Sequence, residues 1–480
     1  MASSAAVTAP RSRSRTDLAL RRSVFAALCL FLAGCLSYDR DAANAVAAIG
    51  RGDAATALKW STDLADSSRS SRLGVVETGR ICMLAGSNTL AEACFRKAID
   101  AAIDHKEKDP VIKLGDAAGT AMAATVTDDW SIEYYLSPYE INLALEYGIL
   151  AQLFNGRRED ALVDSRLAIY VQDKLGDEYG ADLKKREDTG GKGDAEKTRG
   201  EVERISGEQN QALNEMIAAT RNSWENPVLW WLTGVLLEAD GDWEGAGQSY
   251  RRAGTTGAGN PFFEADMKRA DTGAPAPAAG RSKLVVIFED GFVPRRAALK
   301  IPLRLYATMS IDIPTYQNVG AYAPRTVSFA GSKGNSPAAL GLNVRSLAGR
   351  TLSEAMPGII TRNVTRAAVN VGMEVAGRSA YRASDQNGAG AVILAGVEIA
   401  NLIMVCARDA DTRSWVTIPE AQYVWCDNDL APGDYQFGMT VDGVSSTVPV
   451  SLAAGETKLL WIADCGGGLR HQCATIVGGR

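Results

Sequence analysis

Residues 226–253 read Asn226-Pro-Val-Leu-Trp230-Trp-Leu-Thr233-Gly234-Val-Leu-Leu237-Glu-Ala-Asp-Gly241-Asp242-Trp-Glu-Gly-Ala246-Gly-Gln-Ser-Tyr250-Arg-Arg-Ala253. Two stretches with apolar residues at helical spacing flank Gly241-Asp242. A glycine just past a helix end tolerates the left-handed conformation that closes it. Gly234 in the first helix and Ala246 in the second carry almost no side chain, so the two helices can approach closely. Tyr250 is placed to fill the groove toward a neighbouring unit. The stretch predicts a tight helix hairpin.

This spacing resembles a tetratricopeptide repeat, a 34-residue helix-turn-helix unit. Thr233 stands where Leu is usual and Leu237 replaces Tyr. A second unit matches at Gly79, Ala91, Phe95 and Ala98, and weaker ones lie around Tyr147, Ala161 and Ala168 and near Ala54 to Leu58. Gly52-Asp53 and Asn155-Gly156-Arg157 supply further turns. From Asp41 to about Asp271 the chain therefore reads as a degenerate helical repeat array, interrupted by a charged insertion, Lys174 to Gln209. Stacked repeats leave a concave face, and such faces mostly bind peptides or protein surfaces.

Pro and Gly in Thr272–Gly280 block helix continuation and mark a linker. Beyond it the pattern changes. Leu284-Val-Val-Ile-Phe288 is a fully apolar β run; Ala297 to Tyr306 and Ile311 to Pro314 are extended. Leu352 to Tyr381 is helix-like, with Pro357 expected in its first turn. Ala391 to Ala407 is apolar on nearly all sides and reads as a buried helix, since it is short for a membrane span and carries Glu398. Strands are expected at Ala421–Cys426, Tyr435–Val441, Thr447–Leu452 and Lys458–Ala463. The predicted class is α+β: a helical repeat domain over 35–271, a linker over 272–282, and a mixed α/β domain over 283–480 with antiparallel strands around an apolar helix.

The N-terminus determines location. Arg11, Arg13, Arg15, Arg21 and Arg22 precede an apolar run from Val24 to Leu32, the layout of a secretory signal. Leu32-Ala33-Gly34-Cys35 then closes it as a bacterial lipoprotein signal, with 1–34 removed and Cys35 lipidated. Two or more acyl chains anchor stably. Leu36, rather than Asp, follows the cysteine and favours the outer membrane, facing the periplasm. Without the signal, 46 basic and 56 acidic side chains remain, a net charge of −10. An acidic chain with no basic block is a poor nucleic-acid binder. Cys82, Cys94, Cys406, Cys426, Cys465 and Cys473 fall into three local couples, and an oxidising compartment predicts disulfides between them. Free buried thiols are the alternative. His471 between Cys465 and Cys473 is too small a set for a zinc site, and no metal or cofactor is expected.

Several landmarks resemble an uncharacterised family of tetratricopeptide-containing outer-membrane lipoproteins of Gram-negative bacteria. They are Pro138-Tyr-Glu140, Asn226-Pro227, Val286-Ile-Phe-Glu-Asp-Gly291 with Pro294-Arg295, Asp411-Thr-Arg-Ser-Trp415 and Leu430-Ala-Pro-Gly-Asp-Tyr435. The resemblance implies no established reaction. No phosphate loop, His-Glu-x-x-His or nucleophile elbow occurs. Glu289, Asp290 and Arg295 form either a charged recognition edge or, more commonly, a solvated turn with weak ion pairs. Asp411, Arg413 and Trp415 form either a stacked binding cluster or a structural joint. The expected function is a lipid-anchored, non-enzymatic scaffold binding envelope proteins or peptides through the repeat face. The alternatives are an enzyme acting on envelope glycan or lipid, and a carrier of an apolar ligand.

Overall fold

The computed structural model describes residues 38–104, 111–112, 130, 132–188, 207–218, 220–274, 276–302, 310–316, 319, 321–383 and 410–478. Among the described residues the structure is 50% helical and 24% strand, with eleven helices, which makes it α+β. Cys35, His105, Cys406 and the expected apolar helix Ala391–Ala407 lie outside the described residues.

The first half is built from helix hairpins. They pair α1 (38–50) with α2 (Ala54–Ala65), α3 (Ser71–Leu84) with α4 (Asn88–Ala102), and α5 (Pro138–Phe154) with α6 (Arg158–Asp188). After α7 (Gly207–Ile217), α8 (Pro227–Asp240) pairs with α9 (Trp243–Thr256), and α10 (Pro261–Asp271) follows. The same device closes all four pairs: Gly52, Gly86, Gly156 and Gly241 have φ of 79°, 77°, 74° and 84°. A side chain at these values of φ would be strained. Starts are equally local. Asn226 and Asn260 cap α8 and α10 ahead of Pro227 and Pro261, and Ser137 with Glu140 forms a capping box on α5.

Close approach follows where a glycine faces an aromatic ring. A Cβ on Gly234 would lie 2.6 Å from Tyr250 Cδ1, and one on Gly79 would lie 3.0 Å from Phe95 Cε1. In the third hairpin the same two places hold Ile149 and Ser165, both buried.

Two sheets form the second half. The first has the order β13-β12-β3-β9-β8, from Leu469–Val477, Thr457–Asp464, Ser282–Asp290, Ala421–Leu430 and Ala339–Leu342. Strands β12 and β3 are parallel and the other neighbours antiparallel, so the sheet is mixed. The second has the order β11-β10-β6-β7, from Val444–Leu452, Gly433–Val441, Val327–Gly331 and Gly334–Pro337. The hairpin β4 (Ala297–Pro302) with β5 (Ser310–Thr315) packs on α11 (Val344–Ala383). A two-stranded pair, β1 (Ile103–Asp104) with β2 (Val111–Ile112), follows α4. Helix α11 starts before Leu352, because Asn343 accepts a hydrogen bond from Ser346 N and caps it; Pro357 therefore falls inside the helix.

The layers are helices, five-stranded sheet, four-stranded sheet. Every residue of β3 is buried, as its unbroken apolar run requires of a strand covered on both faces. Leu284, Val286 and Phe288 face the second sheet, with Trp425, Phe437 and Ile462 in that core. Val285 and Ile287 belong to the core shared with the helices, which runs from Tyr38 to Ile476. Ten residues, 272–281, separate helix from strand along the chain, one short of the expected 272–282 linker, while one apolar core joins the two halves in space.

Candidate functional site

Strand β3 also carries the polar groups that meet the helices. Side chains alternate across a sheet, so Lys283, Val285, Ile287 and Glu289 share one face. Its apolar middle is flanked by opposite charges at its two ends. Glu289 pairs with Arg80 of α3, both 1% exposed. Lys283 lies 3.6 Å from Glu238 of α8 and 3.7 Å from Asp266 of α10. Burial is the largest influence and works against the charge on Arg80, but the facing Glu289 together with Tyr147 and Cys465 outweighs it, raising the guanidinium above its ordinary value. The same balance, burial against Asp266 and Glu238, raises Lys283.

Around the Arg80–Glu289 pair lies a seam of buried carboxylates. Gln422 of β9 donates from Nε2 to Glu289 Oε1 at 3.1 Å and to Glu146 Oε1 at 2.6 Å. Asn226 Nδ2 donates to Glu146 Oε2 at 2.7 Å. Arg80 Nε donates to the Thr417 carbonyl at 3.2 Å, and its guanidinium sits 4.5 Å from the Tyr147 ring centroid. Burial pushes the Glu146 carboxyl up to about 8, with Glu289 adding repulsion against its hydrogen bonds. Glu77 is likewise raised to about 8, first by burial.

An extended segment, 410–420, threads between the helices and the sheet. Val416 N donates to Glu77 Oε1 at 2.7 Å, and Trp415 N donates to Glu140 Oε1 at 3.2 Å. Tyr38 OH donates to the Ser414 carbonyl at 3.0 Å. Helices thus hold a main chain as they would a bound peptide, and the peptide is the protein's own. The inner helix face, expected to receive a partner, is covered by this segment and the sheet.

The expected site residues divide accordingly. Glu289 and Asp290 are not in a solvated turn: they end β3, and both are buried. Asp290 accepts from Arg325 Nη1 at 2.9 Å and from Tyr322 OH at 2.6 Å. Arg295 is exposed and donates to the Asp39 carbonyl at 2.8 Å, far from a shared cluster with Glu289. Asp411 and Arg413 form a bidentate pair, at 2.8 and 2.7 Å, and Arg413 also donates to the carbonyls of Arg69 and Ile132 at 3.0 and 2.9 Å. Trp415 does not stack on it. Trp130 does, 5.0 Å away, whereas Trp415 packs against Tyr147 and Phe95 at 5.9 and 6.2 Å. Alternation along an extended chain would put residues 411, 413 and 415 on one side, yet Arg413 and Trp415 have different aromatic partners, so proximity in sequence did not make one cluster. Glu77, Arg80, Glu140, Glu146 and Gln422 were not anticipated. For the four charged ones the mark in the sequence is charge inside a largely buried helix, as in Pro138–Phe154; Gln422, a neutral residue on β9, carries no such mark.

The expected disulfides are absent among the described residues. Cys82, Cys94, Cys426, Cys465 and Cys473 are free thiols, and no pair lies at bridging distance. The register sets Cys473 opposite Leu460, and the run from Leu460 to Cys465 spans about 16 Å at the rise of a strand, beyond the roughly 7 Å a bridge allows. Cys94 of α4 faces Gly79 of α3, a turn away from Cys82. Burial raises the Cys82 and Cys465 thiols to about 11.

No group of three or more His, Cys, Asp or Glu side chains suited to a metal occurs among the described residues. The seam carboxylates are engaged by donors from the protein itself. A separate open cleft of about 280 Å³ lies at the other end of β3, lined by Arg281, Ser332, Leu430, Tyr435 and Phe437. No family model, no curated protein and no solved structure matches the chain.

Proposed function

We propose that this chain is a lipid-anchored envelope scaffold, held at the outer membrane and facing the periplasm. Leu32-Ala33-Gly34-Cys35 carries the reading of location. The tetratricopeptide reading of the four hairpins, supported by their shared left-handed glycine and by the Gly79/Phe95 and Gly234/Tyr250 contacts, carries the scaffold. Because the inner face already holds segment 410–420, partners dock on the outer helix surfaces and on the sandwich. The catalytic alternative finds no support in the seam, whose carboxylates are locked to protein donors. Carriage of an apolar ligand needs an enclosed cavity against Ala391–Ala407, which lies outside the described residues, and the cleft beside Arg281 and Tyr435 is open.

Acyl labelling in cells tests the anchor: wild-type chain takes up label, and Cys35→Ser does not. Equal labelling of the variant sinks it. In-cell crosslinking with mass spectrometry tests the scaffold. Recovery of no envelope protein above the level seen with Cys35→Ser would remove that role.

A further inference from the structure

We infer that the end of the molecule bearing the start of α1 is pressed against the bilayer, so that the cleft at the opposite end of β3 faces away from the membrane. The inference rests on lipidation of Cys35. Only Leu36 and Ser37 lie between that cysteine and Tyr38, and three Cα-to-Cα steps reach at most about 11 Å. Tyr38 has no slack to add. It is 6% exposed, its hydroxyl is bonded to the Ser414 carbonyl and its ring packs 5.4 Å from that of Trp130. The next residue is tied as well: Asp39 accepts from Thr412 Oγ1 at 2.8 Å through its side chain and from Arg295 through its carbonyl.

Arg40, Arg69 and Arg295 are exposed at this end, Arg40 lying 3.8 Å from the half-exposed Asp41, and guanidinium groups pair well with phosphate. Arg295 follows the carboxyl end of β3. The amino end, where Ser282 pairs with Leu430, lies about 26 Å away along the strand. Ala431 and the cleft are at that far end.

The test uses full-length lipidated protein in vesicles of phosphatidylethanolamine and phosphatidylglycerol containing a rhodamine-labelled lipid. A coumarin amino acid is placed at position 295 or at position 431, and energy transfer to the lipid is read. Transfer from 295 should be several-fold stronger. Ten Gly/Ser residues inserted between Ser37 and Tyr38 should shrink the difference. Equal transfer from both positions with the native tether, or stronger transfer from 431, overturns the inference. Vesicle flotation separates the two failures: protein that floats with equal transfer is anchored without being pressed to the surface, whereas protein that does not float loses both the anchor and the orientation.

Discussion

The two faces of the five-stranded sheet are held by different physics. On the sandwich side Leu284, Val286, Phe288, Trp425, Phe437 and Ile462 make a core of side chains matched by shape. On the helix side Val285, Ile287 and Trp461 are joined by the pairs of Arg80 with Glu289 and of Lys283 with Glu238 and Asp266. Apolar contacts are non-directional and tolerate several packings. Buried charges do not, because an unpaired one costs several kcal/mol. Placed at the two ends of β3, they select one register of sheet on helices. On this division the sandwich supplies stability and the seam supplies uniqueness.

The largest effects should come from breaking each face. Trp425→Ala on the sandwich side and Arg80→Met on the helix side should each cost about 3–5 kcal/mol in urea unfolding. Adding Glu289→Leu to Arg80→Met should restore much of the loss, since no unpaired charge then remains. If the double variant is as weak as the single, the pair contributes stability outright and the contrast fails.

A smaller effect is expected within the helices. Gly234→Val places methyl groups where even a Cβ would lie 2.6 Å from Tyr250, and overpacking costs about 1–3 kcal/mol. A variant with wild-type stability would show that the hairpin opens freely, which would undercut the repeat reading.

The helix face should also titrate where the sandwich face does not. Glu77 and Glu146 are raised from 4.5 to about 8 in the folded chain. Folding then holds protons that the unfolded chain releases above 4.5, so their contribution is complete below that pH and is lost as pH rises through about 8. The slope is at most about 1.4 kcal/mol per pH unit for each group. Glu77→Gln with Glu146→Gln should flatten the unfolding free energy between pH 5 and 8. An unchanged slope would place the titration elsewhere.

The smallest effect is a predicted absence. With Cys82, Cys94, Cys426, Cys465 and Cys473 free, a reductant should leave the melting temperature unmoved. A drop of several degrees would reinstate a bridge.

What the sequence determined by itself is local. Gly241 and Gly52 end helices because no other residue type takes their backbone so cheaply, and Leu284–Phe288 was legible as a fully apolar strand, its burial on both faces being found in the fold. Strand Tyr435–Val441 was legible from alternation, which depends only on the pleat. Only the tertiary structure decided what lies opposite. Arg80 and Glu289 meet across 209 positions, and Val416 finds Glu77 across 339. The cysteine couples failed in the converse way, being neighbours in sequence held apart by helix and strand geometry. Period and propensity act over a few residues, whereas the partner of a buried charge is chosen by how whole layers stack. That is why Glu289 could be named from the sequence as a residue of interest while its role could not.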